Sequence, residues 1–132
     1  MKVVGIEFAS SDMNYVILER NNPGKLEMLA ANRISLDDTR SCDALRAFQR
    51  AVQTLLKDTS PALIAIKEKP EKGAMQAGAA ALKMEAIVLA DARCDVRFIS
   101  GARINKCDAP EPPIKAYHRP AFKAAVCGAS DQ

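Results

Sequence analysis

The chain opens with Lys2-Val3-Val4-Gly5-Ile6-Glu7-Phe8-Ala9-Ser10-Ser11-Asp12, an apolar run that contains one acid and ends in a polar turn. A second apolar run follows at once, over residues 13–18. Two such runs separated by turn residues predict a β-hairpin. Glu7 is therefore expected near the end of the first strand, beside a hairpin partner.

The segments that follow extend the hairpin and then alternate helices with strands. Turn residues at 21–24 precede a third predicted strand over residues 25–35. Apolar residues at helical spacing predict a helix over residues 42–57. The other predicted elements are a buried strand at 62–66, a helix at 74–91, a strand at 95–99 and a short helix near 120–127, with a loop at 100–113.

This order, β-β-β-α-β-α-β-α, predicts an α/β fold in a single domain over residues 1–132. A three-stranded meander that leads into right-handed crossovers places the first and fourth strands side by side in a mixed five-stranded sheet. A chain of this length buries roughly two-thirds of the surface that its unfolded form exposes. Neither a disulfide nor a metal is therefore needed to stabilise it.

Composition excludes several function classes. The net charge of +3, from 19 basic and 16 acidic residues, does not by itself argue for nucleic acid. No apolar run is long enough for a membrane span, and the N-terminus leads into a strand rather than a signal peptide, so we expect a cytoplasmic protein. The four cysteines form no Cys-x-x-Cys pair, which favours free thiols over zinc. The six aromatics show no interleaving with basic residues of the sort that stacks single-stranded bases.

At this point the chain resembles the ribonuclease H-like superfamily, and within it the branch of Holliday-junction resolvases. Four stretches carry the resemblance: the run that ends at Glu7, the run Ala62-Leu63-Ile64-Ala65-Ile66-Lys67-Glu68, the helix of small residues at 73–89, and the segment His118-x-x-Ala121. The chain is also similar to a small bacterial family of unknown function, and this resemblance runs over nearly the whole chain. It is carried by Ile66-Lys67-Glu68-Lys69 together with Lys72-Gly73 and the segment from Gly78 through Lys83-Met84-Glu85-Ala86.

The resemblance implies a site. Superfamily members that cut nucleic acid hold two Mg²⁺ or Mn²⁺ ions in a cluster of carboxylates. The first-strand acid falls on Glu7, whereas the fourth-strand position is Lys67, with Glu68 one step later. His118 matches a position that some resolvases fill with histidine, but Ala121 stands where a companion aspartate is expected. The implied metal ligands are Glu7 and Glu68, and His118 is a third catalytic candidate.

Two hypotheses follow. In the first, the domain has lost its catalytic cluster, needs no cofactor and acts as a binding or scaffold module. In the second, it is a Mg²⁺- or Mn²⁺-dependent nuclease of the resolvase type that uses Glu7, Glu68 and His118. Nucleic acid is the partner that the resemblance to the resolvases implies, while the partner of a binding or scaffold module stays open. Lys67, Lys69 and Lys72 precede a predicted helix N-terminus and are candidates for binding a phosphate there.

Simpler structural interpretations stay open for the same residues. Glu7 is expected either to face solvent or to pair with Lys67 or Lys69. Glu68 fits a solvated turn, and a histidine in a Pro-rich segment such as His118 fits the surface. The helix at 74–91 carries one apolar stripe at Met75, Ala79, Leu82, Ala86 and Leu89 and a second patch at Met84, Ile87 and Val88. Self-association through this helix, as a homodimer, is one way to cover the patch that is left over when the other side packs on the sheet.

Overall fold

The computed structural model describes residues 1–22, 24–70, 72–73 and 77–132. Its strands are β1 (Lys2–Ala9), β2 (Asp12–Arg20), β3 (Leu26–Ser35), β4 (Leu63–Lys67) and β5 (Asp95–Ile99). Its helices are α1 (Cys42–Thr59), α2 (Ala79–Asp91), α3 (Gly101–Lys106) and α4 (Arg119–Ser130), with a 3-10 turn at Ala116–His118 directly before α4.

The five strands form one mixed sheet in the order β3-β2-β1-β4-β5. The pairs β1–β2 and β2–β3 are antiparallel, as a meander requires. The pairs β1–β4 and β4–β5 are parallel, with Gly5 opposite Ala65 and Ile6 opposite Ile66. The predicted sheet and the predicted contact between the first and fourth strands are confirmed.

Side-chain alternation along the strands divides the core into two layers. Val3, Val16, Leu63 and Ala65 point to one face, where they pack against α4 and Ile104 of α3. Residues one position along these strands point to the other face and pack against α1 and α2. We call these the α4 face and the α1–α2 face. Each strand of the centre is therefore covered on both sides, as its continuous apolar sequence predicts.

The second helix begins later than predicted. It starts at Ala79, while Ala77 and Gly78 precede it in non-helical backbone and residues 74–76 lie outside the described part of the chain. Its core-facing side is the patch that includes Met84 and Val88, each fully buried. Leu89, from the other predicted stripe, is 42% exposed. Because α2 is apolar on two sides, periodicity alone did not identify the side that faces the sheet.

The region after β5 differs from the prediction at two points. Residues 101–106, predicted as loop, form the short helix α3, whose N-cap Ser100 accepts a hydrogen bond from the Arg103 backbone N–H at 3.2 Å. The last helix extends from Arg119 to Ser130, longer than the predicted 120–127. Within the described residues, no helix combines the length and the apolar character that a membrane crossing needs.

Candidate functional site

The carboxyl ends of β1 and β4 bring Glu7 and Lys67 together on the α4 face. The parallel register that pairs Ile6 with Ile66 places the next residue of each strand side by side. The ammonium Nζ of Lys67 donates to the carboxylate Oε2 of Glu7 at 3.1 Å. In open α/β sheets, ligands bind outside the carboxyl ends of parallel strands. The pair therefore lies where a ligand site of this architecture is expected.

This ion pair is largely withdrawn from water. The Glu7 side chain is 13% exposed and that of Lys67 is 29% exposed. Removing a carboxylate from water is costly unless a counter-charge or hydrogen-bond donors replace its hydration. Lys67 supplies both, because its ammonium is a cation that also donates a hydrogen bond. The predicted pairing of Glu7 with a lysine of this segment is thus confirmed.

A polar row continues across β2 and β3 on the same face. Asn14 lies opposite Glu7 in the antiparallel register and is only 2% exposed. The Nε–H of Arg33 donates to Oδ1 of Asn14 at 3.1 Å, and the same guanidinium lies 3.6 Å from the carboxylate of Asp12. The buried amide oxygen is thereby satisfied by a charged donor. We refer to Lys67, Glu7, Asn14 and Arg33 as the polar row.

Tyr117 covers the end of the polar row nearest β3. The guanidinium carbon of Arg33 lies 4.2 Å from the centre of the Tyr117 ring, and the ammonium of Lys115 lies 5.8 Å from it. Both distances fall in the range of cation–π attraction. Tyr117 remains 37% exposed. A partly exposed aromatic ring and two cations therefore lie together at this end of the polar row.

His118 is buried, not on the surface as a Pro-rich neighbourhood suggests. It is 4% exposed, and its Nε2 lies 2.9 Å from the backbone oxygen of Asn32 on β3. Because a carbonyl oxygen only accepts, Nε2 must carry the hydrogen. Nδ1 is buried and has no hydrogen-bond partner within the described residues. His118 therefore fixes the 3-10 turn to the edge strand β3.

The residues after β4 lie beside the pair. Glu68 follows the last residue of β4, is exposed, and its backbone N–H donates to the oxygen of Ile99 at 2.8 Å. β4 ends at Lys67, so Glu68 is the first residue beyond the strand. Lys69 is half-buried and Lys72 is exposed. The structure thus brings together Glu7 and Lys67, while it holds His118 against β3.

Ala121 is at the contact between α4 and β1. It is fully buried, and a Cβ added at Gly5 would overlap its carbonyl oxygen. Helix and strand therefore meet backbone to backbone at this point. A carboxylate side chain at 121 is absent, and the methyl group that replaces it offers no ligand atom.

These residues do not fit a two-metal centre. Such a centre needs several hard oxygen donors from different elements. Glu7 is one such donor, but its neighbour on β4 is the cation Lys67, and Ala121 supplies none. Within the described residues, no group of three or more His, Cys, Asp or Glu side chains is arranged to hold a metal ion.

Asn14, Arg33, Lys115 and Tyr117 were not singled out from the sequence. A signal for two of them was present, because Lys115, Tyr117 and Arg119 do alternate basic and aromatic residues within a short segment. No local signal marks Asn14 and Arg33. Their roles depend on strand register, which places them opposite Glu7 and opposite each other.

Comparison with solved structures defines the fold class of the protein. The Thermus thermophilus RuvC structure matches with a TM-score of 0.75 at 13% identity, covering 96% of this chain and 92% of that chain. T. thermophilus RuvC in complex with Holliday junction substrate gives 0.74 at 15% identity, covering 96% and 91%. The fowlpox virus resolvase with Holliday junction DNA gives 0.60 at 10% identity, covering 99% and 98%. The fold is that of ribonuclease H-like Holliday-junction resolvases.

The family can then be stated. Residues 1–128 match the model of the family described as "Protein of unknown function (DUF3010)", and the chain belongs to that family. No curated protein matches the chain in sequence. The predicted kinship with a resolvase-like family of unknown function is confirmed.

Proposed function

We propose that this protein is a resolvase-like nucleic-acid-binding domain in which Lys67 takes the place of a divalent cation beside Glu7, so that it binds nucleic acid without metal-dependent cleavage. One observation carries the proposal: the 3.1 Å contact between the Lys67 ammonium and the Glu7 carboxylate. Glu7, the acid that resembles a metal ligand of the resolvases, therefore contacts a cation that is part of the chain itself. A divalent ion at Glu7 would lie next to that ammonium, and repulsion would weaken its binding.

The surface around the pair suits a phosphate backbone. Lys67, Arg33 and Lys115 outnumber the two acids of the site, Glu7 and Asp12, and Lys69 and Lys72 follow along the chain. Cations that contact phosphates supply most of the affinity of nucleic-acid binding, and an exposed ring such as that of Tyr117 adds stacking. Two of the similar structures hold a Holliday junction. Branched DNA is therefore the first ligand to test.

The first experiment measures binding of the native chain to a four-way junction, a duplex and a single strand in EDTA at several salt concentrations. We expect binding without metal, tightest for the junction. Lys67→Gln and Arg33→Gln should each weaken binding and lower the salt-dependence slope by about one. Lys57→Gln is the matched control, because Lys57 is an exposed lysine at the end of α1 on the other face. Equal losses in the control and the site variants would overturn the proposal.

The alternative is a Mg²⁺- or Mn²⁺-dependent nuclease that uses Glu7, Glu68 and His118. Thermal melts with and without Mn²⁺ distinguish it from our proposal. If Mn²⁺ raises the Tm of the native chain and Glu7→Ala removes that rise, a metal binds at Glu7. Cleavage of the junction in Mn²⁺ by the native chain, but not by Glu7→Ala, would establish the alternative. Our proposal expects neither result, and expects Lys67→Glu to gain a Mn²⁺-dependent rise that the native chain lacks.

A homodimer through residues 74–91 remains a prediction. Leu89 on the outer side of α2 is 42% exposed, while Leu82 is half-buried. Sedimentation equilibrium of the native chain and of Leu89→Lys tests it. Dimers of the native chain that dissociate in the variant support the prediction, and a native monomer at all concentrations contradicts it.

A further inference from the structure

Two cysteines, Cys107 and Cys127, line one cleft outside the candidate site. Cys107 is the C-cap residue of α3, and Cys127 lies in α4 with 9% exposure. Both line a cleft of about 390 Å³ between these helices. Arg103 already links the helices through a two-point ion pair with Asp131, at 2.8 and 3.0 Å. The two thiols thus lie on neighbouring helices that this ion pair joins.

The two thiols are neighbours in the fold. Both cysteines line the same cleft, and Cys107 packs against the core cluster that contains Cys127. The Sγ of Cys127 lies 4.0 Å from the backbone oxygen of Arg103. The other thiols are placed differently: Cys94 packs on the α1–α2 face, and Cys42 is exposed at the start of α1. Within the chain, Cys107 is therefore the thiol that Cys127 can reach.

We propose that Cys107 and Cys127 form a reversible disulfide when the protein meets a peroxide. The half-buried Cys107 is reached first through the cleft. Its thiol gives up its proton, the sulfur attacks one peroxide oxygen, and the O–O bond breaks, leaving a sulfenic acid and a hydroxide that takes the released proton to become water. The sulfur of Cys127 then attacks the Cys107 sulfur, its proton is lost, and hydroxide leaves as water. Two thiols and one hydrogen peroxide give one disulfide and two waters, with two electrons passing from sulfur to peroxide.

The order of attack agrees with the surroundings of Cys127. Burial raises the pKa of the Cys127 thiol above its usual value, and the neighbouring Cys107 raises it further. Cys127 is therefore a protonated, shielded thiol at neutral pH, which is a poor first nucleophile. Cys107 is the better one because it is more exposed.

The disulfide would close a loop that reaches the candidate site. The residues between the two cysteines, 108–126, include Tyr117 and His118. Cross-linking the ends of such a loop reduces the freedom of the unfolded chain and stabilises the fold. The oxidised protein should consequently unfold at a higher temperature than the reduced one.

The test uses the full chain, treated with hydrogen peroxide, alkylated and digested without reduction. We expect a peptide pair joined through Cys107 and Cys127, lighter by two hydrogen atoms and separated by dithiothreitol. The Tm of the cross-linked chain should rise by roughly 10 °C. Cys42→Ser/Cys94→Ser should cross-link equally well, and Cys107→Ser should not cross-link or gain Tm.

Several results would overturn the inference. These are a disulfide that uses Cys42 or Cys94, a bond between two chains, over-oxidation of Cys107 without a cross-link, or a cross-link that leaves the Tm unchanged. If Cys127→Ser fails to fold because its site is buried, Cys107→Ser still decides the outcome, since Cys107 is half-buried.

Discussion

The two faces of the sheet are covered in different ways. On the α4 face, backbone meets backbone: a Cβ at Gly5 would overlap the Ala121 oxygen, and one at Gly128 would lie 2.8 Å from the Cβ of Ala65. On the α1–α2 face, large side chains such as Phe48 fill the space between helices and sheet. Adding atoms on the α4 face should therefore lower the stability of the fold, and so should removing atoms on the α1–α2 face.

The difference also concerns the site. The polar row lies on the α4 face, and the turn that carries Tyr117 and His118 leads directly into α4. A helix fixed by backbone contact gives these side chains a rigid support, as a binding site requires. The α1–α2 face contributes stability but none of the polar row.

The substitution with the largest expected loss of stability is on the α1–α2 face. Phe48→Ala removes a ring that is 1% exposed, so we expect the free energy of unfolding to fall by about 3–5 kcal/mol. Urea unfolding followed by circular dichroism measures it. Phe98→Ala is the matched control, because Phe98 is 40% exposed and its loss should cost far less. If both substitutions lowered the free energy of unfolding equally, Phe48 would not be a core residue.

The next effect tests the α4 face by adding one methyl group. Gly5→Ala should destabilise the fold by about 1–3 kcal/mol, because α4 must move away from β1. Gly101→Ala is the control, since no atom lies within 4 Å of a Cβ built there. A Gly5→Ala variant as stable as Gly101→Ala would mean that α4 does not pack closely on β1.

The sequence predicted the sheet well because its strands carry strong local patterns. The apolar runs at β1 and β4, with a helix between them, imply a right-handed crossover and hence the contact of Glu7 with the end of β4. The close approach of α4 was also visible in Ala121, Ala124 and Ala125 as small residues. These features depend on periodicity and connection, which are local properties.

The remaining features depend on tertiary contacts. α3 is only six residues long, so it carries too few positions for a periodic pattern. His118 is buried because β3 offers it the Asn32 oxygen, a partner 86 positions away in sequence. The contact of Arg33 with the Tyr117 ring likewise joins residues that are distant in sequence. Such pairings follow from strand register and from where the last turn docks, neither of which a single sequence displays.

A smaller effect tests the polar row as a pair. Glu7→Gln leaves the partly buried Lys67 ammonium without its counter-charge and should cost about 1–2 kcal/mol. Adding Lys67→Met should recover most of that loss, because the uncompensated charge is gone. The four proteins form a double-mutant cycle measured by urea unfolding. Additive losses would show that the two side chains do not interact in solution.

The smallest effect belongs to the exposed pair at the far end of α4. The hydrogen bonds from Arg103 hold the pKa of Asp131 below its usual value, with Arg97 adding to the shift. Because the folded-state pKa is the lower one, the stabilisation is fully present above about pH 4 and is lost as the pH falls through the folded-state pKa.

Asp131→Asn should therefore lower the Tm by a few degrees at most at pH 7, since both partners of the pair are well exposed. The Tm values of the variant and the native chain should converge as the pH approaches 2. Asp58→Asn, at an exposed position in α1, should show no such convergence. A Tm difference that persists at pH 2 would assign the role of Asp131 to packing, and α4 would then be fixed at both ends by shape rather than by charge.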